Sequence, residues 1–380
     1  LQLNTKINKF SLFEQKFHLI QDTVVPVAVY SRNLKNDHFF DPNNILIINA
    51  LQQYLPQQLL VFSPEKTAGF PEVYPGIRVV ALSEKKAGFW RRLLVKKRIL
   101  PRLLKKSRTR ALLLLDAKDV LRTRVPQFLL MKDTAIHAQT DFPALQKLAG
   151  IVVSSGALRD AMVKRSGLAP DRIIVVEGLL TPGIKPLEAA GQFAFKDRVT
   201  EGREFFICAD VHWSGEQLRT LLKAFSRFKK MQQSGWKLVI TQRGHHPGSA
   251  FGAVFNALDT YKYREDVVLF ESSGAAGYTA ALGAAYAAVT FQQDEGFPAV
   301  ACEALVSDVP VIAPVSQRER LGTGVFLFDA ADEASLGSQL MELYKNEALR
   351  RQFLQQRSGN PVKLVPGAGL ELLKKRLLQA

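Results

Sequence analysis

The stretch TFQQDEGFPAVACEALVSDVPVIAP, residues 290–314, decides how this chain is read. It follows an apolar run, AAYAAV, and passes into a polar loop holding Asp294, Glu295 and Gly296. Pro298 suits the first position of a helix, where its missing N–H and fixed φ cost nothing. The helix AVACEALVS follows, and beyond Asp308 the β-branched run VPVIAP predicts a strand. Glu303 is the exception in that small, apolar helix, because a charge there is costly unless it is paired or used.

Glu295 and Glu303 are separated by seven residues, one on the loop and one on the helix. At 1.5 Å of rise per residue the second carboxylate lies about 8 Å beyond the helix start. Free N–H groups at a helix start can face an anion, and a carboxylate can accept from a ribose diol. Two readings follow. In one, loop and helix hold a nucleotide sugar between them. In the other, they are a loop, a capped helix and a carboxylate satisfied by a neighbour, and the spacing alone favours this second reading.

The chain on either side alternates short apolar runs with helical or polar stretches. Upstream lie VVPVAVY (24–30), LLVF (59–62), IRVVAL (77–82), ALLLLD (111–116), QFLLM (127–131), GIVVSS (150–155) and RIIVVEG (172–178). Between the first two, ILIINALQQYLP is apolar enough for a buried helix, and Ser155 is placed to cap the helix after GIVVSS. Then come FFICAD (205–210), the helix EQLRTLLKAFSRFKKMQQ, and the strands KLVITQRG, VVLFES and AAYAAVTF. Such alternation predicts parallel sheets flanked by helices, in two α/β domains for 380 residues. Residues 181–204, mixed in composition and without clear periodicity, read as the joint between them.

The run EGFPAVACEALVSDVPVIAP closely resembles the signature of GT-B glycosyltransferases of the large retaining family 4, where a glutamate pair at this spacing holds the donor. DAADEASLGSQLMELYKNEALRRQFLQQ resembles the pattern that closes that domain, and AGIVVSSGALRDAMVKRSGLAPDRIIVVEGLL resembles the end of the family's N-terminal domain. The resemblance implies two Rossmann-like doubly wound domains facing each other across a cleft. Residues 1–184 would form the acceptor domain, 185–204 the linker and 205–363 the nucleotide-sugar domain, with a C-terminal helix, 364–380, packing back on the first. It implies Glu295, Gly296, Phe297 and Pro298 near the donor sugar and Glu303 on the ribose. A nucleotide-diphosphate sugar is then the substrate, a glycan or lipid-linked molecule the acceptor, and no metal or other cofactor is expected.

Three departures stand against that pattern. The loop after the first strand, SRNLKNDHFFDPNN, has no glycine, which removes the family's close backbone approach. Lys132-Asp133 stands where the family has a His-Asp pair, and a lysine cannot act as a neutral acceptor. Val211 and Glu216 take the places of the arginine and lysine that grip the donor diphosphate. His212, Arg243 and Lys132 are the remaining candidates for phosphate contact. These departures motivate an alternative: a catalytically impaired GT-B protein acting as binding partner or scaffold for an active glycosyltransferase.

The formal net charge is +16, from 51 Lys and Arg against 35 Asp and Glu, which implies attraction to phosphates. Residues 85–110 carry twelve Lys and Arg and no acid. Phe89, Trp90, Leu93, Leu94 and Ile99 recur there at helical spacing, with Arg91, Arg92, Lys96, Lys97 and Arg98 on the other faces. Two readings stay open: a helix lying in an anionic membrane surface through Trp90, Arg91, Arg92, Lys96 and Lys97, or a domain helix with its apolar side on the sheet. Few aromatics and no recognition motif argue against nucleic acid. His245-His246 before Pro-Gly mark a surface turn rather than a metal site. Cys208 and Cys302 give neither a disulfide framework nor metal spacing. No apolar run approaches the ~20 residues that span a bilayer, so a cytoplasmic location, with or without membrane association, is the expectation.

The transferase expectation leans on one proposition: Glu303 is kept in an apolar helix because a bound ribose supplies its hydrogen-bond donors. An internal cation beside Glu303 would remove that support.

Overall fold

The computed structural model describes residues 27–30, 42–55, 58–63, 78–82, 95–131, 142–209, 215–243, 251–272, 274–293, 296–322, 325–359 and 367–380. They fall into two compact units. One holds the first seven strands and Gly367–Ala380; the other holds Glu177–Pro366.

In the first unit, β1 (Val27–Tyr30), β2 (Leu59–Ser63), β3 (Arg78–Ala81), β4 (Ala111–Leu114), β5 (Gln127–Leu130), β6 (Gly150–Val153) and β7 (Ile173–Val175) pair in parallel in the order β3-β2-β1-β4-β5-β6-β7. β1, β4, β5 and β6 are buried along their whole length, as parallel strands covered on both faces must be. ILIINALQQYLP contributes to helix α1 (Pro42–Tyr54). The basic segment forms a π turn, Val95–Ile99, running into α2 (Leu100–Lys106), with Pro101 in the first turn where no N–H is missed. Ser155 caps α3 (Gly156–Ser166): its Oγ accepts from the Leu158 N–H at 3.1 Å, and Gly167 closes the helix at φ 65°.

The stretch read as a joint is ordered differently. Residues 189–200 form α4 (Ala189–Thr200), closed by Glu201 and Gly202 at positive φ, and it packs on the helix Ala275–Ala284 and the strand Val267–Phe270 of the second unit. Of its residues Phe195 and Thr200 are buried, too few to mark a repeating apolar face, which is why periodicity did not reveal it.

The second unit contains β8 (Phe205–Cys208), α5 (Gly215–Gln232), β9 (Lys237–Thr241), β10 (Val267–Phe270), α6 (Ala275–Ala284), β11 (Ala287–Val289), α7 (Ala299–Val306), β12 (Val311–Pro314), β13 (Phe326–Phe328), α8 (Glu333–Lys345) and α9 (Glu347–Gly359). Its sheet has the order β10-β9-β8-β11-β12-β13, all parallel. This is the doubly wound order 3-2-1-4-5-6, with its switch point between β8 and β11. Alternate residues face opposite layers. Phe205, Ile207, Val239, Ala288 and Val311 meet α4, α6 and α7, whereas Phe206, Cys208, Leu238, Val289 and Ile312 meet α5 and α8. The short strand β13, GVFLF in sequence, was not read in advance, because an isolated apolar run of three carries no period.

The back of α5 is pinned by a half-buried phenol. The Tyr261 hydroxyl donates to the Leu222 carbonyl at 2.8 Å and sits 3.0 Å from the Ser226 hydroxyl. Burial pushes the Tyr261 phenol up to about 12 from its usual 10, opposed in part by the Ser226 contact. The neutral phenol therefore holds its proton longer in the folded chain than in the unfolded one. Stability should fall as pH rises from 10 through about 12. Tyr261→Phe should flatten that alkaline limb, which urea midpoints measured at stepped pH would show.

The C-terminal helix α10 (Ala368–Gln379) belongs to the first unit, where Leu370, Leu373 and Leu377 are buried and it packs on β7. The Arg110 guanidinium donates to the Leu378 carbonyl near the helix end. Among the described residues no helix is long and apolar enough to cross a membrane.

Candidate donor site at the carboxyl end of the second sheet

In a doubly wound sheet the loops at the carboxyl ends of the strands beside the switch point form the ligand crevice. Described residues of three segments of the second unit lie there: Ala209 beyond β8, Gln242 and Arg243 beyond β9, and Thr290–Gln293 with Gly296–Pro298 beyond β11.

The loop after β11 is held through its carbonyls. Gln217 Nε2 donates to the Phe291 carbonyl at 3.3 Å, Gln292 Nε2 to the Phe297 carbonyl at 3.2 Å, and the Arg320 guanidinium to the Gly296 carbonyl. Gly296 and Pro298 are buried and Phe297 is half-buried. Pro298 is the residue before the helix (φ −77°, ψ 65°), one place earlier than its sequence suggested, and no side chain caps α7. Amides at such a start point outward from the helix. At its other end α7 closes through Asp308 in the left-handed region (φ 55°), which aspartate tolerates, and the Val309 N–H reaches the Ala304 carbonyl at 2.9 Å.

Glu303 is fully buried, with 0% of its surface exposed, and its carboxylate is matched from within the protein. Oε1 accepts from the Thr181 N–H at 2.7 Å, the Thr181 hydroxyl at 2.8 Å and Arg243 Nε at 2.9 Å, with Arg243 Nη2 at 2.8 Å. Oε2 accepts from the Tyr278 hydroxyl at 2.7 Å. Arg243 is itself 4% exposed, and its Nη2 also donates to the Leu179 carbonyl at 3.0 Å. Two observations bear on the sequence reading. The donors that keep Glu303 in an apolar helix include Thr181, Arg243 and Tyr278, so its burial no longer argues by itself for a bound ribose. Arg243, offered as a phosphate contact, has a carboxylate against its guanidinium.

The structure thus brings Gly296, Phe297, Pro298, Glu303 and Arg243 into the same unit, around one helix and one strand end. Glu216 lies in the exposed first turn of α5. Glu295, His212, Lys132, Val211 and His245-His246 lie outside the described residues, as do residues 31–41 of the glycine-free stretch after β1 and the Trp90, Arg91 and Arg92 cluster. Among the described residues no group of three His, Cys, Asp or Glu side chains is placed to hold a metal ion.

Sequence reasoning missed Thr181, Tyr278, Gln217, Gln292 and Arg320. One signal was available for Tyr278. It is the single large polar side chain in the helix AAGYTAALGA, as Glu303 is in AVACEALV, and a buried hydroxyl and a buried carboxylate each need a partner.

For the basic segment, the described part is residues 95–110. Val95, Leu100, Leu103 and Leu104 are buried in the core of the first unit, so the apolar side of this segment faces the sheet. Lys97, Arg98, Arg102, Lys105, Lys106, Arg108 and Arg110 are exposed. The surface is one of charge, without an apolar stripe in its described part.

No protein-family model matches the chain, and no curated protein matches it in sequence. Solved structures do match. The crystal structure of Anabaena Alr3699/HepE in complex with UDP and glucose aligns with a TM-score of 0.72 over 94% of this chain and 100% of that one, at 10% identity. Sucrose-phosphate synthase from Thermosynechococcus elongatus aligns at 0.68 over 94% and 98%, with 15% identity. WaaG, a glycosyltransferase involved in lipopolysaccharide biosynthesis, aligns at 0.68 over 94% and 100%, with 9% identity. With a seven-stranded and a six-stranded parallel sheet, each flanked by helices, this chain has the fold of the GT-B glycosyltransferases.

Proposed function

We propose that the protein is a glycosyltransferase that takes a nucleotide-diphosphate sugar at the carboxyl end of the second sheet and passes the sugar to a glycan or lipid-linked acceptor. The observation that carries this reading is the geometry beside the β8/β11 switch point. There, a loop with three of its carbonyls bonded, at Phe291, Gly296 and Phe297, leads into a buried helix, Ala299–Val306, that no side chain caps. The fold match adds support, since HepE has been solved with UDP and with UDP-glucose. Glu303 contributes no contact in this proposal; the donor residues are Glu295, Gly296, Phe297 and Pro298. Amides and fixed dipoles act on the diphosphate, where charge develops as the glycosidic bond to the leaving nucleotide breaks. Retention of configuration is the stereochemical outcome that the resemblance implies.

Titration with UDP and GDP, followed by release of nucleotide from UDP-glucose and GDP-mannose, tests the reading. Binding of one nucleotide in the micromolar range with turnover of the matching sugar is expected. A chain that binds neither nucleotide is not this enzyme. Binding without turnover would favour the alternative of an impaired protein serving an active partner.

The exposed basic face on α2 and its flanks fits a lipid-linked acceptor at an anionic surface. Since Leu100, Leu103 and Leu104 of α2 are buried, attachment through this helix would be electrostatic, with each Lys or Arg worth about 1 kcal/mol near such a surface. Replacing Lys97, Arg102, Lys105 and Lys106 by Gln should lower partitioning onto phosphatidylserine vesicles by roughly 100-fold or more. It should leave neutral phosphatidylcholine vesicles unaffected. Co-sedimentation unchanged by the four substitutions would remove the membrane part of the proposal.

A further inference from the structure

The bonds to Glu303 join four segments that are distant in sequence. Leu179 and Thr181 lie where the chain comes into the second unit, Arg243 lies two residues beyond β9, Tyr278 is in the first turn of α6, and Glu303 is the fifth residue of α7. All four side chains or backbone groups meet at one carboxylate in the interior of a single unit. The incoming segment is pressed against α6 a second time. At Gly283 a Cβ would lie 2.8 Å from the Leu187 Cβ, so only glycine lets the two backbones sit this close. α7 itself begins at the loop Gly296–Pro298.

We infer that Glu303 and Arg243 are a positioning pair. Together with Thr181 and Tyr278 they latch the incoming segment to α7, and so fix where the helix start and its preceding loop stand. Neither residue touches the donor. Displacing the carboxylate frees Thr181 and α7 together, because both hang on Oε1. The pair therefore couples residues 178–182 to residues 296–302, and nucleotide affinity depends on Arg243 even though its guanidinium faces Glu303. This inference rests on the proposed donor site for its effect on affinity, and on the geometry alone for its effect on motion.

The test uses Arg243→Met and Thr181→Val in the full chain, with amide hydrogen exchange and UDP titration read on the same samples. Thr181→Val removes a single hydroxyl and is the variant expected to fold in any case. The latch predicts faster exchange in both 178–182 and 296–302 for each variant. It also predicts UDP affinity weakened by about tenfold in Arg243→Met, a size typical of coupling between sites. Exchange that rises in 178–182 but not in 296–302 would overturn the latch. So would a loss of UDP affinity in Arg243→Met with exchange unchanged in both segments, since Arg243 would then act on the nucleotide itself. If the unaltered protein binds no UDP, the donor-site reading falls, and the exchange data still decide the latch.

Discussion

Removing Arg243 from the buried pair should destabilise the second unit by about 3–5 kcal/mol, because the Glu303 carboxylate is left as an uncompensated charge in the interior. Arg243→Met leaves the Glu303 carboxylate with only the Thr181 groups and the Tyr278 hydroxyl. Glu303→Gln leaves the Arg243 guanidinium facing a neutral amide. The double variant Glu303→Gln/Arg243→Met should recover most of the loss. A glutamine oxygen still accepts from Thr181, no charge remains to be matched, and the Leu179 carbonyl loses one bond worth about 1 kcal/mol. Ion pairs in interiors are often dispensable when both members are replaced and costly when one is. Exchange of the slowest amides in β8 and β11, which open with the whole unit, reports these energies directly. Single and double variants equally destabilised would mean that hydrogen-bond geometry, rather than charge, holds the cluster.

The second large effect is expected at Gly369, in the first turn of α10. A Cβ there would fall on the Val175 carbonyl oxygen and lie 3.1 Å from the Val176 Cα. Replacing a helical glycine by alanine ordinarily gains about 0.5–1 kcal/mol. Here the contact is with backbone at the end of β7, which cannot rotate away. Gly369→Ala should therefore lift α10 from the sheet and expose Leu370, Leu373 and Leu377, which are buried against the first unit. Overpacking of this kind costs about 1–3 kcal/mol, and more where an element detaches. Thermal unfolding followed by circular dichroism should show the first transition shifted downward. Proteolysis should release the C-terminal segment first. A variant as stable as the parent would show that α10 can dock without this close approach.

The sheets were legible because parallel strands buried on both faces read as continuous apolar runs: ALLLLD, QFLLM, GIVVSS, FFICAD and VPVIAP all lie on observed strands. The helix of 298–307 and its turn at Asp308 were equally legible, from a proline, a run of small residues and an Asp before β-branched residues. What failed was pairing across the chain. Nothing in the spacing of Glu303 tells that Arg243, sixty residues earlier, reaches it. A lone acid in an apolar helix signals only that some partner exists. α4 was missed for a related reason: its buried positions, Phe195 and Thr200, are set by packing on α6 rather than by a repeating apolar face.

A crystal structure of the protein with UDP is the direct test. The diphosphate is expected beside the start of α7 at Gly296–Val300, next to the β8/β11 switch point, with Glu303 still bonded to Thr181, Arg243 and Tyr278. UDP bound away from that helix start, or Glu303 turned from Arg243 onto the ribose, would contradict it.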